Sequence, residues 1–348
     1  MTRYGQGAYV GFGEIAGAYT TNGTKSDITH WFRVQSDSDG IQAETDLIEL
    51  SSLENYEEDI NTVKTGQKRV TGTIKIPLTY DQTQNLFRMI SQQNKTPVLD
   101  PTYGTFYHYD FFLPAEANDP ANFVYGSSPH SYCIEVHRGD TGGDSVFYQG
   151  CVITSAQFDF QPSSVVTLTM TFVGRGYTVG ANSTPSFSSN WMVLTTNQRL
   201  RTSPAPAAFL TMNGANYICY GATFTINQPC DERHEVTDEE SQAQPFPSDL
   251  RRVQIDLDLE APASDTFWMD IIGNPVKNVI VKQPTLFTSI NLEHDAIWGC
   301  QEATVRPGIE ARPTSPGVVR ASVTLDGYAD AGLKGYAIGV RNQQSAYR

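Results

Sequence analysis

The chain has 348 residues, a formal net charge of −14, 18% charged and 11% aromatic residues, 28 glycines and 19 prolines. Its length exceeds what one core usually organises and its Gly and Pro content favours short strands, so we expect an all-β protein with two units of roughly 150–180 residues. The acidic balance excludes wrapping of nucleic acid, though not close passage of DNA; no apolar run is long enough to span a membrane and Met1-Thr2-Arg3-Tyr4-Gly5 opens no signal peptide, so synthesis in a cytoplasm is expected.

Near the N-terminus, Gly5-Gln6-Gly7 and Gly11-Phe12-Gly13 begin a dinucleotide fingerprint, but the third glycine falls one place late and no βαβ pattern follows. Residues 28–50 and 69–78 alternate apolar and polar side chains as half-buried strands do. Within the first, Asp37, Asp39, Gly40 and Asp46 echo a calcium loop, yet Gln35 holds the first ligand position and a solvated turn is expected. Residues 51–68 follow as a polar loop with Glu54, Glu57, Glu58 and Asp59. Asp81 and Gln84 then form a capping-box pattern for a helix over 81–93 whose apolar face is Leu86, Met89 and Ile90.

Residues 104–113 read as an aromatic strand and residues 131–153 as a hairpin with a Gly/Asp-rich loop. His130, Cys133 and His137 fall short of a zinc site, so Cys133, Glu135 and His137 are expected to form an exposed strand face opposite Tyr132, Ile134 and Val136. Arg138-Gly139-Asp140 begins the hairpin loop. Residues 181–205, rich in Ser, Thr, Asn and Pro, read as a linker, and Asn213-Gly214 signals a tight hairpin beyond it. A second acidic loop, 228–250, carries Asp231, Glu232, Glu235, Asp238, Glu239 and Glu240. Ser264 caps a second short helix expected over 264–272. Five cysteines without metal-ligand spacing read as reduced, mostly buried thiols, so we expect no metal and no cofactor. No nucleophile elbow, phosphate loop or zinc-protease motif gives enzyme chemistry an anchor.

Late strands repeat early ones. Val165–Gly174 lies over Val318–Gly327 without a gap and with four identities. Arg69–Ile76 lies over Arg252–Leu259, each ahead of an expected helix, and Gly150-Cys151 echoes Gly299-Cys300. Three matches in one order imply internal duplication: a first domain over 1–180, the linker over 181–205 and a second over 206–348.

Taken together, Gly11-Phe12-Gly13-Glu14, Ala18-Tyr19-Thr20, Phe32-Arg33-Val34, the Arg69–Ile76 strand with its helix, and Ser131–Gly174 with Tyr148-Gln149-Gly150-Cys151-Val152 resemble the major tail tube proteins of long-tailed bacteriophages, in the form with two tube domains per chain. The likeness runs over nearly the whole chain and is weakest at 96–130 and 177–205. The resemblance implies two tandem β-sandwich or barrel domains, each with one packed helix. It implies homotrimeric, pseudo-hexameric rings stacked into a hollow tube that conducts DNA in transit. Tape measure, terminator and tail-tip proteins would be its partners, the virion tail its place, and no membrane insertion is implied. The polar faces of the long strands would line the channel: Thr71, Thr73, Lys75, Thr167, Thr169, Thr171, Asp256, Asp258, Arg320, Ser322 and Thr324. The two acidic loops would join stacked rings. Alternatives are the inner tube of a contractile machine and, from another class, a carbohydrate-binding or glycosidase-like module, whose chemistry needs two carboxyl groups across a cleft.

Overall fold

Alternation in sequence becomes alternation in burial: along Arg252–Glu260 every second residue, Val253, Ile255, Leu257 and Leu259, is buried while the intervening ones reach solvent. The structure, a computed structural model, describes residues 8–15, 23–34, 41–54, 57–79, 82–91, 96–99, 101, 107–113, 131–138, 144–162, 164–181, 183–185, 210–212, 215–233, 243–247, 251–260, 276–287, 292–306, 310–315, 318–328 and 336–342. In the first half, the strands are β1 (Ala8–Glu14), β2 (His30–Arg33), β3 (Gln42–Glu54) and β4 (Glu57–Pro77). Helix α1 (Thr83–Ser91) comes next, and β5 (Val98–Leu99), β6 (Tyr107–Leu113), β7 (Tyr132–Arg138), β8 (Asp144–Phe160), β9 (Thr167–Gly174) and β10 (Gly176–Ala181) complete this half. The second half contains β11 (Leu210–Met212), β12 (Ala215–Tyr217), β13 (Cys219–Asn227), β14 (Cys230–Arg233), β15 (Ala243–Pro247), β16 (Arg252–Glu260), β17 (Val276–Phe287), β18 (Leu292–Val305), β19 (Glu310–Ser315), β20 (Val318–Tyr328) and β21 (Tyr336–Asn342). The protein is all-β around one described helix.

The two halves pair their strands in the same order. In the first, β1 lies between β2 and β7, β7 continues to β8, β8 pairs β10 and β9, and β9 continues to β4 and β3. In the second, β11 lies between β12 and β17, β17 continues to β18, β18 pairs β21 and β20, and β20 continues to β16 and β13. Register agrees as well. Val70 faces Gly174 as Val253 faces Gly327, and Ile74 faces Met170 as Leu257 faces Val323. The Gly-Cys pairs do not take part in this agreement. Ile153 faces Phe172 and Val305 faces Leu325, so Cys151 and Cys300 stand at different distances from equivalent ladder points. Both pairs lie inside their strands, β8 and β18.

Strand β8 serves two layers. Its first part pairs β7 and β10 and its last part pairs β9 and β13, with the change of sheet at a register shift between Ile153 and Ser155. Gly150, at φ +60°, prepares that bend in a conformation that costs an L-residue strain.

The halves share one hydrophobic core. Phe87 of α1 meets the rings of Phe111, Phe158 and Trp298 at centroid distances of 6.3, 5.7 and 5.8 Å, all near edge-to-face. Asn342 donates to the Gln84 side chain (2.8 Å) and Arg251 to the Ser91 carbonyl (3.3 Å), so late residues hold the early helix. The helix fits inside the expected 81–93; the one expected at 264–272 falls outside the described residues, as does most of the 181–205 linker, although Ala181 itself ends β10.

Two expectations need correction. The Cys133, Glu135 and His137 face of β7 is buried, because the turn Lys25–Asp27, β8 and Ser183 close over it. Burial alone would raise the Glu135 pKa, but bonds from Ser145 (2.5 Å) and the Ser183 N–H (2.9 Å), with Lys25 3.7 Å away, outweigh it and hold the carboxyl below the usual range. Nor are the described parts of the two acidic segments irregular loops. Ladder pairing of β3 with β4 runs on to Glu54 opposite Glu57, giving a two-stranded arm, and β14 pairs β15 in a separate ribbon. Leu47, Ile48, Leu50, Ile60, Thr62 and Val63 supply the strand propensity that the carboxylate count concealed.

Candidate functional site

Pairing of β8 with β13 joins the halves edge to edge: Phe158 faces Phe224, Gln157 faces Thr225 and Ser155 faces Asn227. The outcome is one sheet of order β3, β4, β9, β8, β13, β16, β20, β19, four strands from each half. One face of it packs on the core through Ile74, Met170, Phe158, Phe224, Leu257 and Val323. The other carries polar side chains in rows across the strands. Lys75 faces Thr169, which faces Gln157, then Thr225, Gln254 and Asp326. A neighbouring row runs from Thr167 through Asp159, Thr223 and Asp256 to Thr324.

These rows are hydrogen-bonded along the surface. Thr73 and Thr171 hydroxyls meet at 3.3 Å, and Ser155 donates to Asn227 at 2.7 Å. Asp159 accepts from Gln157 (2.9 Å) and Thr223 (3.2 Å), and Asp256 accepts from Gln254 (2.8 Å) and Thr324 (2.7 Å). The cations are matched by acids: Arg306 grips Asp326 through two bonds of 2.5 and 2.7 Å, and Arg320 lies 3.6 Å from Asp258 and stacks on the Tyr220 ring at 3.8 Å. The hydrogen bond to Asp326 raises the Arg306 pKa, and the bond that Tyr220 donates to Glu260 raises that of the phenol. Charge is unevenly shared. The first-half strands present mainly hydroxyls and amides with Lys75, Asp159 and the Arg69–Glu44 pair at 3.8 Å, whereas the second-half strands hold Asp256, Asp258, Glu260, Asp326 and Arg320, with Arg306 just beyond β18.

Of the residues singled out in the sequence, Thr71, Thr73, Lys75, Thr169, Thr171, Asp256, Asp258, Arg320, Ser322 and Thr324 are at least partly exposed on strands of this sheet. Thr167 sits in its row but is only 8% exposed, so it adds little to the surface. Sequence reasoning missed Ser155, Gln157, Asp159, Thr223, Thr225, Gln254, Arg306 and Asp326, although the period-two pattern Thr223-Phe224-Thr225-Ile226 was a readable signal. The acidic residues of segments 51–68 and 228–250 are not members of these rows. Glu54 and Glu57 pair at the arm tip with Glu58 and Asp59 just behind, and Asp231 and Glu232 are in β14. Glu235, Asp238, Glu239 and Glu240 fall outside the described residues.

Among the described residues no group of three or more His, Cys, Asp or Glu is arranged to hold a metal ion. No described helix is long and apolar enough to cross a membrane. A protein-family model described as phage tail tube protein matches residues 17–275. No curated protein matches the chain.

Proposed function

The chain belongs to the phage tail tube protein family, a structural component of the phage virion tail that self-assembles into the tube, and on that footing we propose that three copies form a ring with pseudo-sixfold symmetry and that stacked rings enclose the path of the DNA. The observation that carries this reading is the eight-stranded sheet, core-packed on one side and polar on the other, with two similar four-stranded units per chain. Six such units from three chains make a closed wall. The tandem division into domains 1–180 and 206–348, joined by the linker 181–205, belongs to the same proposal and is supported by the shared pairing order.

Facing inward, the polar side suits passage rather than binding. Phosphates bind where cations are available, and here Arg306 and Arg320 already face Asp326 and Asp258. The remaining carboxylates repel a polyanion, so DNA meets little friction. The chain acts without catalysis in this reading, assembling in the host cytoplasm. The acidic tips of the β3–β4 arm and the β14–β15 segment contact the next ring, and terminator, tape measure and tail-tip proteins meet the tube ends and lumen. The family match favours this role over the carbohydrate-binding alternative.

Electron microscopy of the purified protein tests it. Rings with six similar lobes, or tubes stacked from them, are expected. A protein that stays monomeric over a range of concentration and salt would refute the reading.

A further inference from the structure

Strand β21 carries β6 along one edge, in a ladder that runs from Tyr336 opposite Leu113 to Asn342 opposite Tyr107. Strand β10 holds the same place in the first half, yet it pairs with β8 alone among the described pairings. The two strands match residue by residue. Val179 faces Val146 as Ile338 faces Trp298, and Val146 stands as far before Ile153 as Trp298 does before Val305, so Tyr177-Thr178-Val179-Gly180-Ala181 lies over Tyr336-Ala337-Ile338-Gly339-Val340. Tyrosine and glycine recur at the same places. Burial does not follow: Ile338, beside β6, is 1% exposed, whereas Val179 is 63% exposed.

The glycines show what the open edge lacks. An added Cβ on Gly339 would come within 2.6 Å of Asp110 Oδ1, because Asp110 of β6 lies directly opposite. On Gly180 the same Cβ would meet, among the described residues, the Lys25 ammonium at 3.7 Å. Lys25 Nζ donates to Ser145 (3.0 Å) and to the Ala181 carbonyl (2.5 Å), and with the Glu135 carboxylate at 3.7 Å it keeps a third N–H for another acceptor. A carboxylate set over Gly180 as Asp110 is set over Gly339 would reach it.

We propose that the outer edge of β10 accepts an extended segment of another protein as an added antiparallel strand, with an Asp or Glu between two large apolar residues. The carboxylate lies opposite Gly180 and against Lys25, and one apolar side chain covers Val179. Tyr109-Asp110-Phe111 is the pattern that fills the equivalent edge of β21. In such an addition main-chain hydrogen bonds supply affinity and alternate side chains supply the choice of sequence. Strand β10 is suited to it, since Tyr177–Ala181 contains neither charge nor proline, the devices by which edge strands avoid pairing. A second copy has no spare β6 to offer. That strand lies in the segment 78–131 between β4 and β7, and the corresponding segment between β16 and β17, 261–275, is mostly taken up by the helix expected over 264–272. The site is also separate from the polar rows, because β10 pairs with the first part of β8 and those rows cross the last.

A fluorescent peptide of residues 105–115 with a neutral Gly-Ser tail is the probe, titrated into the full chain and followed by anisotropy. Saturable binding is expected. Gly180→Val fills the space the carboxylate needs and should abolish it, while Lys25→Gln should weaken it about three- to fivefold. The peptide with Asp110→Asn should bind wild-type protein weaker by a similar factor and Lys25→Gln protein no weaker than the unaltered peptide does, a comparison that needs no change in the protein's own fold. Amides of 177–181 should slow at least about tenfold when the peptide is bound. No binding up to about 1 mM, or equal binding to Gly180→Val, would overturn the site. Protection of 177–181 on self-assembly, without peptide, would show a second copy on this edge and overturn the assignment to another protein. All but that last measurement are made on the free chain, so a failure to form rings or tubes would refute the assembly reading and leave this one standing.

Discussion

Replacing Phe87 by Ala tests whether the two halves fold as one unit. Phe87 is fully buried on α1 in the first half, yet its ring contacts both Phe111 and Phe158 of that half and Trp298 of the second. A buried Phe→Ala change costs about 3–5 kcal/mol, and three edge-to-face ring contacts put this site at the upper end. For a chain of 348 residues the unfolding entropy near 60 °C is about 0.7 kcal/mol/K, so Tm should fall by roughly 5–7 °C. Urea unfolding followed by tryptophan fluorescence, in protein with Trp31, Trp191 and Trp268 replaced by Phe, is the assay, since the completely buried Trp298 is then the sole emitter and reports on the second half. A single transition, moved as a whole, is expected. Two transitions with the Trp298 signal unmoved, or a loss below about 1 kcal/mol, would refute the shared core.

Four further outcomes follow from the geometry. Asp256→Lys/Asp258→Lys alters partly exposed positions and should change stability by no more than about 1 kcal/mol, while tubes of the variant should retain DNA at low salt that wild-type tubes release; equal retention would count against an inward polar face. Burial, and then the nearby Arg88 charge, lowers the His30 pKa from 6.5 to about 4. The unfolded chain therefore binds a proton in that window that the folded one does not, and stability should drop as pH falls from about 6.5 to about 4, by at most roughly 3 kcal/mol. His30→Gln should flatten the Tm profile there, and an unchanged slope would contradict the assignment. Gly150→Ala, with φ at +60° and a new Cβ 2.6 Å from the Arg175 side chain, should cost about 1–2 kcal/mol in a melting experiment, and no cost would mean that β8 bends elsewhere. Replacing residues 48–64 by Asn-Gly shortens the arm at the Leu47–Thr65 pair and should leave rings that fail to stack in micrographs; normal tubes would exclude the arm from ring contacts.

The strands were legible wherever one face is wet. Val253 to Leu259 and Val70 to Ile76 could be assigned from alternation alone, and their repetition anticipated a pairing order that recurs down to register. Leu86, Met89 and Ile90 marked the helix in the same way. What stayed hidden is what depends on long-range packing. Strand β7 looked half exposed because nothing local shows that Lys25 and Ser145 come to meet Glu135. The counterpart of the last part of β8 was obscured because β18 and β19 pair β20 as two strands, so the match of β19 shows only in the ladders. The arm was read as a loop from its carboxylates, whereas its β-branched residues decide the backbone.

That division into two strands makes the two halves of the sheet unlike. At the corner in the first half, β8 carries load continuously from the outer layer into the inner sheet, as one covalent rod of 17 residues gripped by β7, β10, β9 and β13. In the second half the counterpart of that strand is described as two, β18 and β19, each with its own pairing to β20. In the ring proposed above, three corners built on a continuous β8 alternate with three built on β18 and β19. Reconstructions of tubes sorted by bend should therefore show more displacement around β18 and β19 than around β8.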